Sequence, residues 1–300
     1  MEIKQLRSFI AVVKYGSFTK AAEKLYLTQP TVSFHVRTLE EELQTQLLLR
    51  NTKSICITEK GRELFETAIN IVSLEDMLFK KWQNGGESYI HLGVSTIPSG
   101  YLLPKIAPAF CAKYPAVRFI INQSDSSDIL NGLVNGLYDI AITGMKTDRN
   151  IIEYYPLCED RLELITPNTE EFRQYETDKF PVEKLLTLPF VLREDGSASG
   201  RFASAILESL DLDEAKMNVT AKLNDQESIK NLVAAGVGVS IISSMAADNY
   251  IKDGLLLRFS LPSDVKRKFY AARRKNKILS SEAEQFLHFV KTFFVNGQAD

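Results

Sequence analysis

Between Thr28 and Thr38 the chain reads TQPTVSFHVRT, a run whose side chains can read the edges of nucleic-acid bases. Gln29 can pair bidentately with adenine, Arg37 can take guanine or a phosphate, and Phe34 can touch a thymine methyl. Thr31 and Ser33 can hydrogen-bond to either kind of base. Pro30, His35 and Thr38 share the run and join the candidate contact set. Further on, Arg50 and Lys53 are the charges of a short turn and candidates for phosphate contact. Each position has a plainer alternative: Phe34 packing on a preceding helix, Thr31 serving only as a cap, Arg37 being an ordinary surface charge.

A second polar set lies in the body of the chain. Ser95, Thr96 and Ser99 follow one predicted strand, Gln123 and Ser124 follow another, and Thr143 follows a third. GSASGR at 196–201, with Ser197 and Ser199, opens a predicted helix. Hydroxyls and free amides at helix starts suit small anions. The same residues also serve as simple helix caps.

Catalysis is not expected. The three histidines, His35, His91 and His288, fall in separate regions. There is no H-E-x-x-H, no phosphate-loop motif and no G-x-S-x-G; GSASG has Ala198 where a nucleophile would stand. The Gly236–Gly238 pair lacks the third glycine of a dinucleotide loop. Cys56, Cys111 and Cys158 are odd in number and far apart, giving neither a disulfide framework nor a zinc pattern. No metal and no cofactor is expected.

The elements that would hold these residues can be read from periodicity. Ile3, Leu6, Phe9, Ile10 and Val13 have helical spacing, Gly16 stops that helix, and Ser17 caps a second over 18–25. Thr28 caps a third over about 28–43, with Pro30 in its first turn and Val32, Val36, Leu39 and Leu43 on one apolar face. The polar set falls on the other face, as in a helix-turn-helix. Residues 47–57 form a two-stranded wing turning at 51–54. Thr58 caps a long helix to about 84, whose Leu64, Ala68, Ile71, Leu78 and Trp82 make a dimer seam interrupted by Glu75. NGGE at 84–87 marks a hinge.

From 88 the pattern alternates between strands and helices. Strands are expected at 89–95, 117–123, 139–144, 162–167, 190–193, 218–223, 237–243, 255–259 and 268–274. Helices are expected near 99–113, 126–136, 199–210, 226–235 and 281–295. This alternation implies a parallel sheet in each of two α/β units with a cleft between them. No sequence repeat is strong enough to show duplication.

Residues 1–62 carry ten Lys and Arg against six acids, a net +4, so the remainder carries −6 within a total of −2. A mildly basic front on an acidic body fits a module that faces a polyanion. No run reaches the roughly 18 apolar residues of a membrane helix, and the N-terminus is not a signal peptide; a soluble, cytoplasmic protein is expected.

The front segment resembles the LysR-type transcriptional regulators. The residues that carry the likeness are Gly16–Leu25, Thr28–Ser33, Leu39-Glu40, Arg50 and Ile57–Gly61, in order. The stretches PAVRFII, LYDIAITG and ESIKNLVAAGVGVSIIS resemble the family's effector domain. Gln44 and Leu48 depart from the family's frequent Gly and Phe, at positions expected to be packing positions. The resemblance implies an α/β protein with an all-α front module: a winged helix-turn-helix (1–58), a linker and dimerisation helix with hinge (59–87), and a bilobed, periplasmic-binding-protein-like (type II) effector domain (88–300). Lobe I would comprise 88–163 and 266–300, and lobe II 164–265. The implied partners are double-stranded promoter or operator DNA, a small-molecule effector, RNA polymerase, and further copies of the chain as homodimer or homotetramer. Inducer contacts carried over from the family fall on Ser95, Thr96, Thr143 and Ser199. The layout looks most like the branch that senses sulfur-assimilation metabolites or other small anions, within sulfur or amino-acid metabolism. The competing reading is a solute-binding receptor whose front helices make protein contacts; a polar rather than apolar exposed face at 29–37 would separate the two.

Overall fold

A computed structural model describes the chain apart from residues 52–53, 84–87, 176, 178–179, 195–196 and 295–300, and apart from the side chains of Arg50, Asn51, Ser54, Met77, Lys80, Lys81, Gln83 and Ser88. The expected hinge at 84–87 therefore lies outside the described residues. Two compact units result. One comprises Met1–Tyr89, Ala116–Arg118 and Arg274–Glu282; the other comprises the rest.

The first unit opens with helices α1 (Ile3–Tyr15), α2 (Phe18–Leu25) and α3 (Gln29–Glu42). Gly16 ends α1 in the left-handed region (φ 61°), and Ser17 caps α2 by accepting from the Lys20 amide. Leu6, Phe9 and Val12 of α1 pack with Ala21 and Ala22 of α2 and with Val32, Val36 and Leu39 of α3. The two alanines keep α2 close, since they add almost no bulk at the contact.

Strands β1 (Leu48–Asn51) and β2 (Ser54–Ile57) pair antiparallel, Leu48 opposite Ile57. The Glu40 carboxylate accepts from the amides of Leu47 and Leu48 at 2.8 and 3.1 Å, which ties this ribbon to the end of α3. Thr58 then starts the long α4 (Glu59–Gln83): its hydroxyl accepts from the Gly61 amide at 2.9 Å. A side chain at Gly61 would place a Cβ 2.2 Å from the Leu47 carbonyl oxygen, so glycine is required by the close approach.

The expected dimer seam on α4 divides in two. Ala68 is fully buried, and Leu64, Phe65, Ile71 and Val72 pack against the front core. That half of the helix covers its own module. Leu74, Leu78, Phe79 and Trp82 are exposed.

The second unit contains β3 (Ser88–Ser95), α5 (Leu103–Lys113), β4 (Val117–Ser124), α6 (Ser126–Val134), β5 (Ile140–Thr143), β6 (Ile152–Asp160), β7 (Leu162–Pro167), α7 (Glu170–Arg173), β8 (Pro189–Arg193), α8 (Ala198–Ser209), β9 (Asn218–Leu223), α9 (Gln226–Ala234), β10 (Ser240–Ser243), α10 (Ser244–Lys252), β11 (Leu256–Phe259), β12 (Arg267–Arg274) and α11 (Ser281–Phe293). A few residues at the ends of β3, β4, β12 and α11 fall in the first unit's segments. Lobe I carries a sheet of order β4-β3-β5-β12-β6. Lobe II carries the sheet β10-β7-β11 and the pair β8-β9, joined by a bridge from Phe190 to Val239.

The expected all-parallel sheets are corrected in detail. β3 runs parallel to β5 and β8 to β9, but β12 runs antiparallel to β5, and β7 runs antiparallel to both of its neighbours. β6 belongs to the sheet of lobe I and β7 to that of lobe II, with a single residue between them. β6 and α10 had no counterpart in the sequence reading. The expected strand 237–243 starts only at Ser240.

The lobes share one local device. Asp125 caps α6 by accepting from the Asp128 amide, and Asp225 caps α9 by accepting from the Ser228 amide. Each helix is followed by a left-handed glycine, Gly136 (φ 73°) or Gly236 (φ 82°), and then by a buried strand.

Candidate functional site

The candidate nucleic-acid interface is the outer face of α3. Thr28 accepts from the Thr31 amide at 3.3 Å, and Pro30 sits in the first turn, where no intrahelical donor is lost. Burial of Val32, Val36 and Leu39 turns Gln29, Pro30, Phe34 and Arg37 outward. Ser33 and Thr38 are half-buried at the margins. Phe34 is 57% exposed, which removes the alternative in which it packs on α2. The Arg37 guanidinium lies 5.8 Å from its ring and 3.5 Å from Glu41, so the head is steered along the helix while staying in water.

Two expectations change here. His35 turns inward: it is 8% exposed, and its Nδ1 lies 2.8 Å from the Ser8 hydroxyl of α1. It is a core residue that joins α1 to α3, and it leaves the contact set. Helical geometry explains this, because position 35 lies beside 32, 36 and 39 on the buried stripe. Thr31 spends its amide on the cap, with its hydroxyl 2.7 Å from that of Thr28. On the wing, the Arg50 side chain and Lys53 lie outside the described residues.

Gln44 is also corrected. It is not a packing position: it is exposed, with φ 48° in the left-handed region. Backbone geometry therefore favours glycine there, and glutamine carries the steric cost.

The second candidate is a small cavity between the lobes, of about 20 Å³, lined by Ser95, Thr96, Asp125, Ser126, Arg193, Ser197, Ser199, Arg267 and neighbouring residues. That is room for about one water. The β3 strand delivers Ser95 and Thr96. Ser197 caps α8, accepting from the Gly200 amide at 2.9 Å. Four of the expected residues, Ser95, Thr96, Ser197 and Ser199, therefore meet here. Ser99 and Gln123 are not in the lining; Gln123 is exposed on β4. Thr143 is fully buried, and its hydroxyl donates to the Met145 carbonyl at 3.0 Å. It acts as a structural bond.

Sequence reasoning missed the two arginines. Arg267, 1% exposed, donates from Nε and Nη2 to the Asp160 carboxylate and from Nη1 to the Ser199 hydroxyl at 3.0 Å. Ser243 donates to the other Asp160 oxygen at 2.9 Å, so this buried pair is well satisfied. Arg193 is different. It is 9% exposed, and among the described residues its Nε and Nη1 have no hydrogen-bond partner. Burial pulls its pKa below the ordinary arginine value, with attraction from Glu194, Asp225 and Asp125 opposing this. No spacing rule could have found either residue. The pairing of Arg267 with Asp160 joins strands far apart in sequence.

A clasp also joins the lobes. Tyr101, just beyond β3, donates to Glu227 of α9 at 2.9 Å. Lys230, 2% exposed, donates to the Tyr101 hydroxyl and the Ala246 carbonyl, both at 3.0 Å, and lies 2.7 Å from Glu227. Burial alone would raise the Glu227 carboxyl; the bonds from Lys230 and Tyr101 outweigh it and hold the group below its usual range. Burial, then the bond to Glu227, pushes the Tyr101 hydroxyl up.

Comparison with known proteins agrees with this arrangement. Residues 3–62 match the family model described as "Bacterial regulatory helix-turn-helix protein, lysR family", and residues 83–294 match "LysR substrate binding domain". A relative from Cyanidium caldarium, named "Probable RuBisCO transcriptional regulator", is 30% identical over 98% of this chain and 94% of its own. Two solved structures share the fold. CbnR in complex with its target DNA has a TM-score of 0.58 at 20% identity, covering 97% of this chain and 99% of that one. The effector-binding domain of QuiR in complex with shikimate has a TM-score of 0.61 at 17% identity, covering 69% of this chain and 97% of that one.

Proposed function

The chain belongs to the LysR family of DNA-binding transcriptional regulators, and from that premise we propose how its own residues do the work. Helix α3 enters a major groove and presents Gln29, Ser33, Phe34 and Arg37 to base edges, with Pro30, Thr31 and Thr38 against the backbone. Arg50 and Lys53 of the wing take phosphates. The observation that carries this reading is the outward turn of Phe34 and Arg37 on a helix whose opposite stripe is buried. A face of glutamine, hydroxyls and an arginine suits DNA better than the protein contacts of a receptor.

The same proposal divides the chain into a DNA-binding module (1–58), a linker helix and hinge (59–87) and an effector domain (88–300), with lobe I at 88–163 and 266–300 and lobe II at 164–265. The exposed Leu74, Leu78, Phe79 and Trp82 of α4 pair two copies, because an apolar face of this kind is covered in a stable assembly. The protein acts in the cytoplasm, by binding and without catalysis. A small polar or anionic effector enters between the lobes at Ser95, Thr96, Ser197 and Ser199, binds one lobe arrangement more tightly, and so shifts the balance of DNA-bound states and contact with RNA polymerase. The likeness to an effector domain solved with shikimate supports a small-molecule role for the cleft.

The test is a gel shift with the full chain and the DNA upstream of its own gene, across a salt series. Binding that weakens linearly in log[salt] supports the reading; no shift at low salt overturns it. Sulfate and O-acetylserine belong in the ligand panel as probes of the sulfur and amino-acid expectation.

A further inference from the structure

Arg193, at the end of β8, lines the cavity described above. Its neighbour in the cavity wall, Arg267, is balanced by Asp160 and adds no net charge. Asp125 lines the same cavity and, with Glu194 and Asp225, attracts the Arg193 guanidinium through space, but none of the three accepts a hydrogen bond from its Nε or Nη1. What is left is a guanidinium 9% exposed with two N–H groups that no described residue accepts from. A buried polar group with no protein partner marks a place for water or an ion, and at a guanidinium the ion that gains most is an anion.

The surroundings favour the same class of ligand. Two helices of ordinary length, α6 and α8, begin at this wall, at Ser126 and Ala198. Their first amides have no intrahelical acceptor and form the positive end of each helix. Ser95 and Thr96 add hydroxyls from β3.

We propose that Arg193 anchors an oxyanion head in this cavity: the carboxylate of a small organic acid, or a free tetrahedral oxyanion. This rests on the effector-cleft reading above. The cavity of about 20 Å³ limits what enters with the lobes as they stand. Even an oxyanion head is larger than the single water this space admits, so its entry requires the lobes to part. The Tyr101–Glu227–Lys230 clasp must then loosen, which links occupancy to lobe arrangement.

The experiment is isothermal titration of the full chain at constant ionic strength with sodium sulfate, phosphate, acetate, pyruvate and O-acetylserine, alongside thermal melts with the same probes. The expected result is binding of at least one oxyanion and a melting temperature that rises with its concentration. Arg193→Gln weakens that binding at least tenfold and abolishes the rise. Arg193→Lys, which keeps the charge, retains part of it. Arg201→Gln, at an exposed residue on α8, changes nothing. Without anion, Arg193→Gln melts no lower than the original chain, because it removes an unmatched buried charge. Sulfate or phosphate binding assigns the free ion; binding by pyruvate or acetate alone assigns a carboxylate. Equal affinity in the original chain and Arg193→Gln overturns the proposal, as does failure of every oxyanion to bind. A gel shift on the same samples separates the two readings. DNA binding modulated by an uncharged ligand, sensitive to Thr96→Val but not to Arg193→Gln, keeps the cleft as effector site and removes Arg193 as anchor.

Discussion

Arg37 and Arg193 carry the same guanidinium in opposite media. The Arg37 side chain is 62% exposed on α3, steered by Phe34 and Glu41. Arg193 is 9% exposed in a cavity wall, and two of its nitrogens have no partner among the described residues. The exposed group keeps its water until it meets a phosphate or a base, and its attraction is screened by salt. The buried group is shielded from bulk solvent, so its attraction for a matching anion is screened less. Under the two proposals above, a single side-chain chemistry serves a salt-tuned contact with a polymer and recognition of a small molecule.

The sharpest way to break this contrast is to disturb the charge that the cleft has already balanced. Arg267→Ala leaves Asp160 buried without its partner and is expected to cost about 3–5 kcal/mol, read as a lower denaturation midpoint of the full chain. A cost under about 1 kcal/mol would show that the cleft is wetter than described. On the front module, His35→Ala loses the bond to Ser8 and leaves a hole, with an expected cost of about 1–3 kcal/mol. At temperatures where that variant remains folded, its DNA affinity should keep the salt slope of the original chain. A changed slope would return His35 to the DNA-contacting face.

Arg37→Ala should behave in the reverse manner. Stability stays within about 0.5 kcal/mol, while the slope of log K against log[salt] falls by about 1 if the group meets a phosphate. Relaxed sequence preference with an unchanged slope would place it on a base instead. Gln44→Gly relieves a left-handed backbone strained by a side chain and should raise stability by about 1 kcal/mol, measured by the melt of the front module's helices. The smallest effect concerns pH. The folded Glu227 carboxyl sits below its unfolded value, so its contribution is complete above about pH 4.3 and is lost as pH falls through the folded pKa. Glu227→Gln should flatten that acid-side decline by about 0.5 kcal/mol after solvent screening; an unchanged acid profile would show that the clasp contributes nothing.

Local rules carried much of this description. Helix starts at Ser17, Thr28, Thr58 and Ser197, the stop at Gly16 and the two-stranded wing were legible because capping and turn chemistry depend on residues within a few positions of one another. Ser95, Thr96, Ser197 and Ser199 were legible because strand ends and helix starts point toward clefts in α/β units. The misreadings were of another kind. Thr143 has the right type and place, but its hydroxyl is taken by a carbonyl two residues on. Position 44 looked like packing because a one-letter difference cannot reveal a left-handed φ.

By itself the sequence determined most of the helical segments, which face of α3 is apolar and that two α/β lobes follow the front module, because period, cap and turn are short-range properties of the chain. Only the tertiary structure decided that His35 faces Ser8, that β12 enters its sheet antiparallel, and that Arg267 is matched while Arg193 is not. Those outcomes depend on groups that are distant along the chain and close in space. Whether a charge is satisfied is a property of its surroundings, and surroundings exist only after folding.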